Sequence, residues 1–89
     1  MKGPKKNPYL KATYLEVVEN QLREGDPPET RQTLDRLKGL GFDVRDAKLL
    51  IASAIAAETF RILKHSEPFN RDRFIRYLNH LPDQDFDAV

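Results

Sequence analysis

Leu10, Tyr14, Val17, Val18, Gln21 and Leu22 recur at three- and four-residue spacing, which predicts an amphipathic helix starting near Asn7. Asn7 is placed to cap it, and Pro8 suits the first helical position, where a missing N–H leaves no partner unmatched. Gly25 supplies the left-handed residue that ends many helices. In the stretch Gly25-Asp26-Pro27-Pro28-Glu29, Asp26 then reads as the cap of a second helix, with Pro27 first in it and Glu29 reaching back as a capping box. The stretch is therefore expected to be a tight corner rather than a linker. The second helix carries Thr30, Leu34 and Leu37 and stops around Lys38-Gly39-Leu40-Gly41.

Asp43 caps a third helix, about Val44 to Lys64, with Asp46 in its first turn and Phe42 placed to staple onto Ala47. Ala47, Leu50, Ile51, Ala54, Ile55, Ala57, Ile62 and Leu63 spread apolar surface over much more than one stripe. A helix of that kind is expected at the centre of the fold, contacted from two sides. The stretch His65-Ser66-Glu67-Pro68-Phe69 breaks it. Asn70 caps a fourth helix with Phe74, Tyr77, Leu78 and Leu81, Phe69 is placed to staple onto Phe74, and Pro82 ends it. No alternating β-branched run appears, so no sheet is expected. The pattern predicts one all-α domain over residues 1–89, a compact bundle of about four helices, with a basic tail (1–6) and an acidic tail (83–89) expected to be flexible.

The chain has 89 residues, 39% of them apolar and 33% charged, which is enough for a modest core of its own. No apolar run approaches the ~20 residues of a membrane span, and the basic N-terminus has no apolar segment behind it, so cytoplasmic residence is expected. The chain contains no cysteine, hence no disulfide, thiolate nucleophile or cysteine-held metal. The net charge of +1 hides a gradient: Lys2, Lys5 and Lys6 lie at one end and Asp83, Asp85 and Asp87 at the other. Residues 1–81 hold 15 basic against 11 acidic side chains, a mild surplus for a nucleic-acid binder.

Glu58 interrupts the apolar surface of the third helix and is a candidate for a perturbed carboxylate; the alternative is an ion pair with Arg61 or with a basic residue of a neighbouring helix. His65 and His80 both fall near helix C-termini, where a cation meets the backbone dipole favourably, and their spacing is not that of a metal pair. Ser53 and Ser66 sit on no nucleophile elbow, and Lys38-Gly39-Leu40-Gly41-Phe42 lacks the Gly-Lys-Ser/Thr of a phosphate loop. No catalytic motif, cofactor site or metal site is read. Arg71, Arg73, Arg76 and Tyr77 give the fourth helix a basic side that is a candidate for contacts to a partner or to phosphates, with Asp72 interleaved. The expected function is non-enzymatic: a small interaction or adaptor protein, with a second copy of itself among the candidate partners. The alternative is a nucleic-acid accessory protein using the basic residues of the fourth helix and the N-terminal tail.

The frame Asn7-Pro8-Tyr9-Leu10, Gln21, Pro27-Pro28, Arg31 and Asp46-Ala47 resembles a family of small bacterial helical domains of unknown function. That family reads N-P-x-L-H-x-x-x-H, then E-Q, then P-P, then H-E-A-x-H, and the resemblance covers residues 7–64. It implies an all-helical fold and a bacterial origin, and no activity. The family's histidines fall at Lys11, Leu15, Arg45 and Leu49 here. Leucine has no donor atom, and lysine and arginine bring positive charge, so a metal held by such histidines in relatives has no ligands in this chain. Metal analysis of the purified protein is expected to find no stoichiometric zinc or iron; one equivalent of either contradicts this.

Overall fold

The computed structural model describes residues 8–89, with the side chains of residues 8–10 and of Ala88 left out. The cap expected at Asn7 and the basic tail lie outside the described residues. Four α-helices follow one another: α1 (Pro8–Glu24), α2 (Pro28–Gly39), α3 (Val44–His65) and α4 (Arg71–His80), with a 3-10 turn at Phe86–Ala88. No strand occurs among the described residues. The chain forms the expected helical bundle, and α3 packs against each of the other three helices.

One device ends the first three helices. Gly25 (φ 66°), Gly41 (φ 108°) and Ser66 (φ 52°) turn left-handed. The next residue's N–H then reaches back to a carbonyl of the last turn: Asp26 to Gln21 at 3.2 Å, Phe42 to Leu37 at 3.2 Å, and Glu67 to Ile62 at 3.2 Å. Two of the expected N-caps form, Asp43 accepting from the Asp46 N–H at 2.8 Å and Asn70 from the Arg73 N–H at 3.0 Å. Phe69 meets Phe74 with ring centroids 5.9 Å apart, as a staple requires.

The start of α2 differs from the expectation. Pro27 occupies the cap position in extended backbone (φ −76°, ψ 151°), Pro28 is the first helical residue, and no side chain caps the turn. Asp26 is therefore one residue too early to cap. Its carboxylate accepts instead from Arg71 Nη1 of α4 at 3.2 Å, while Glu29 lies 3.9 Å from Arg71 Nη2. The peptide bonds preceding Pro27 and Pro82 are cis.

Val18, Leu34, Leu37, Ala47, Ile51, Ala54, Ile55, Phe74, Tyr77, Leu78 and Leu81 form a continuous buried core drawn from all four helices and the turn after α4. Thr30 joins it without an unmet hydroxyl, donating to Gln21 Oε1 at 2.7 Å and tying α2 to α1. The C-terminus of α4 is capped from α2: Arg36 donates to the carbonyls of Leu81 at 2.7 Å and Leu78 at 2.9 Å. The acidic tail, expected to be free of the bundle, folds back so that Phe86 packs on Tyr77 with centroids 5.1 Å apart. That contact gives the tail's one aromatic side chain an apolar neighbour.

Arg36→Ala removes both bonds to the end of α4. It is expected to cost about 1–2 kcal/mol and lower the melting temperature by about 5–10 °C. Arg36→Lys should restore only part of this, because an ammonium cannot fork across both carbonyls as guanidinium does. An unchanged melting temperature for Arg36→Ala by calorimetry contradicts the assignment.

Candidate functional site

Glu58 is buried on α3, and its partner comes from the neighbouring helix. Arg73 donates through Nε to Oε1 at 2.7 Å and through Nη2 to Oε2 at 2.9 Å, a two-pronged pair. The Asn70 N–H adds a third bond to Oε2 at 2.9 Å. Arg73 Nη1 in turn lies 3.0 Å from Glu67 Oε1. The hydrogen bond to Glu58 is the main cause holding the Arg73 guanidinium above its ordinary pKa; burial opposes it and is outweighed. Arg61, one turn along α3, does not pair with Glu58 but reaches Glu67 at 4.0 Å. Both oxygens of Glu58 are thus engaged in joining α3 to the start of α4. The cleft that His65 lines is formed with Phe60, Arg61, Lys64, Tyr77 and Phe86, and Glu58 is not among its walls.

The four candidate contact residues of α4 separate. Arg73 and Tyr77 are buried, which corrects their reading as exposed contacts. The cause is helical spacing: Arg73 precedes Tyr77 by one turn, and both lie beside Phe74 and Leu78 on the face toward the core. Arg71 and Arg76 are exposed, but Arg71 is occupied by Asp26 and Glu29. Arg76 alone among the four is exposed with no ion pair to another described residue. His80 lies 3.5 Å from Asp83 at the turn after α4 and belongs to that corner.

Two surface features remain. The first is a cleft of about 420 Å³ between α1, α2 and the start of α3, with Leu22, Leu34 and Val44 in its floor and Arg23, Arg31, Lys38 and Lys48 around it. Glu19 satisfies Lys48 at 2.7 Å, and Asn20 accepts from Arg23. Arg31, Leu34 and Lys38 recur at helical spacing, so their shared face was readable in the sequence. Their approach to Arg23 and Lys48 depends on the corner at Gly25 and was not.

The second feature is on α3. Phe60 and Leu63 are 64% and 76% exposed, the largest exposures among the big apolar residues described. Leu49, Ser53 and Ala56 continue the same helical face at intermediate exposure. The two hydroxyls along this face are turned back on their own helix, Ser53 to the Leu50 carbonyl at 2.5 Å and Thr59 to the Ile55 carbonyl at 2.8 Å. The stripe therefore makes no unmet polar demand. Lys64 Nζ lies over the Phe60 ring, 5.5 Å from its centroid. Among the described residues no group of acidic or histidine side chains is arranged to hold a metal, and no helix is long and apolar enough to cross a membrane.

Comparison of the chain with family models, curated proteins and solved structures finds no match in any of the three.

The two kinds of ion pair should separate on mutation. Glu58→Ala strands the Arg73 guanidinium in the interior and is expected to lower the melting temperature by on the order of 10 °C or more. Lys48→Ala removes a pair at the surface and should shift it by less than about 5 °C. Thermal melts giving the opposite ranking contradict the assignment of Glu58 as the structural tie.

Proposed function

We propose that this chain is a small non-enzymatic interaction or adaptor protein, and that the apolar stripe on α3 is its docking surface. The exposure of Phe60 and Leu63 side by side carries this reading. An aromatic and a leucine left in water on the longest helix, beside small residues and hydroxyls already satisfied, present the composition that forms the core of a protein interface. Chemistry finds no comparable support, since Glu58 is committed to Arg73 and Asn70.

A second reading, nucleic-acid binding, draws on the basic cleft of Arg23, Arg31, Lys38 and Lys48. The basic side of α4 offers less, because Arg73 and Tyr77 are withdrawn into the core. The mark of nucleic-acid binding is affinity that weakens steeply with salt.

Affinity capture from lysate of the source organism, with and without nuclease, separates the two. The expected result is a defined protein recovered in both cases and lost with the double variant Phe60→Gln, Leu63→Glu. That variant alters exposed positions, so its melting temperature should stay close to that of the parent. Recovery that vanishes with nuclease, or that the double variant leaves intact, overturns the stripe as the docking surface.

A further inference from the structure

We infer that the occupant of the stripe is a second copy of the chain, α3 lying antiparallel on α3 about a two-fold axis near Ala56. The inference rests on the stripe being a docking surface and names what docks there.

The order of residue sizes carries it. Leu49 stands at one end of the stripe, Ser53 and Ala56 in the middle, and Phe60 and Leu63 at the other end. Leu49, Ala56 and Leu63 are spaced by seven, the repeat that keeps one seam of a helix facing a partner helix. Stacked in parallel, two such stripes set large residues on large and small on small, which leaves a gap at the middle. Turned antiparallel, Leu49 of each copy meets Leu63 of the other, and the Phe60 ring falls over Ser53. The small residues at the centre let the helix axes approach to about 8 Å, the near end of the usual range.

The charges at the ends follow the same symmetry. Asp46 lies in the first turn of α3 and Lys64 in its last, and both are exposed. Antiparallel pairing brings Asp46 toward Lys64 of the other copy. The pairs 46 with 64 and 49 with 63 have their midpoints at Ile55 and Ala56, one residue apart. One axis therefore serves the apolar contacts and this charge pair together. The parallel arrangement sets each of these charges level with its own like. Antiparallel helix dipoles add to the preference. Self-complementarity of this kind is what a two-fold interface requires.

The stripe also has rims. α1 lies along one side, held there by Glu19 to Lys48 at 2.7 Å. On the other side Gln84, Asp85, Phe86 and Asp87 line a cleft with Ala57, Phe60 and Lys64.

The absence of native cysteine allows a direct test with single thiols in the full chain. Under mild oxidation Ala56→Cys, at the axis, is expected to form a disulfide-linked dimer at least about tenfold faster than Leu49→Cys or Leu63→Cys alone. An equimolar mixture of the last two should give the mixed disulfide. Sedimentation of the unmodified chain should show mass rising with concentration, and Ala56→Arg, which sets like charges on the axis, should remain monomeric with its helical circular dichroism retained. A monomer at every concentration up to about 1 mM, or fastest self-linking by Leu63→Cys, overturns the inference. If the chain is monomeric yet the Phe60, Leu63 double variant still loses a captured protein, self-association fails while the docking reading stands.

Discussion

The buried pair of Glu58 and Arg73 fixes how the second half of the molecule meets the first. α3 has 22 residues, about 33 Å at 1.5 Å per residue, and none of the helices packed on it has more than 17. Glu58 sits on the C-terminal part of α3, where the chain must turn to send α4 back across the core. Its carboxylate is bound by the Arg73 side chain and by the Asn70 N–H, immediately before α4. Asn70 caps the helix that Arg73 belongs to, so one carboxylate sets both the start of α4 and its distance from α3. Alignment of the Phe74, Tyr77, Leu78 and Leu81 side chains with the core follows from that anchor. A pair this deep adds little net stability over an apolar pair of the same shape, but loss of one partner leaves the other charge buried and unmatched.

The same geometry explains why apolar surface remains. α1 covers one flank of α3, α2 and α4 the face toward the core, and the Phe86 turn closes the flank beside Tyr77. Among the described residues no further helix covers the remaining face, where Leu49, Ala56, Phe60 and Leu63 lie. Alanine, serine and threonine in the middle of that face reduce what is left exposed without making it polar. The proposed docking role and the proposed second copy both follow from this shortage of cover.

The parts of the fold legible in the sequence are those set by neighbours along the chain. Asp43, Asn70, Gly25 and the Phe69–Phe74 contact depend on residues within five positions, and all are where the spacing places them. Asp26 failed as a cap because Pro27 took the cap position and a helix distant in sequence claimed the carboxylate. For Glu58 the sequence restricted the partner to a basic residue, and only the turn after α3 selects Arg73 over Arg61. Tyr77 and Arg73 were misplaced for a different reason. A charge and a hydroxyl suit the two to an exposed contact, while their one-turn spacing beside Phe74 and Leu78 marks the inner face of α4. Arg36 as the cap of α4, and the meeting of Arg31 and Lys38 with Arg23 and Lys48, join residues whose proximity no local pattern encodes.

Among the described residues, one face of α3 is left uncovered. Broadening of side-chain NMR signals by a soluble paramagnetic probe, followed by dilution, tests it most directly. In dilute protein the account predicts strong broadening of Leu63 methyl and Phe60 ring signals, with Val18, Leu37, Ile51 and Leu78 protected, and protection of the first two returning as concentration rises. Phe60 and Leu63 protected at every dilution would mean that the chain covers its own stripe, and would contradict it.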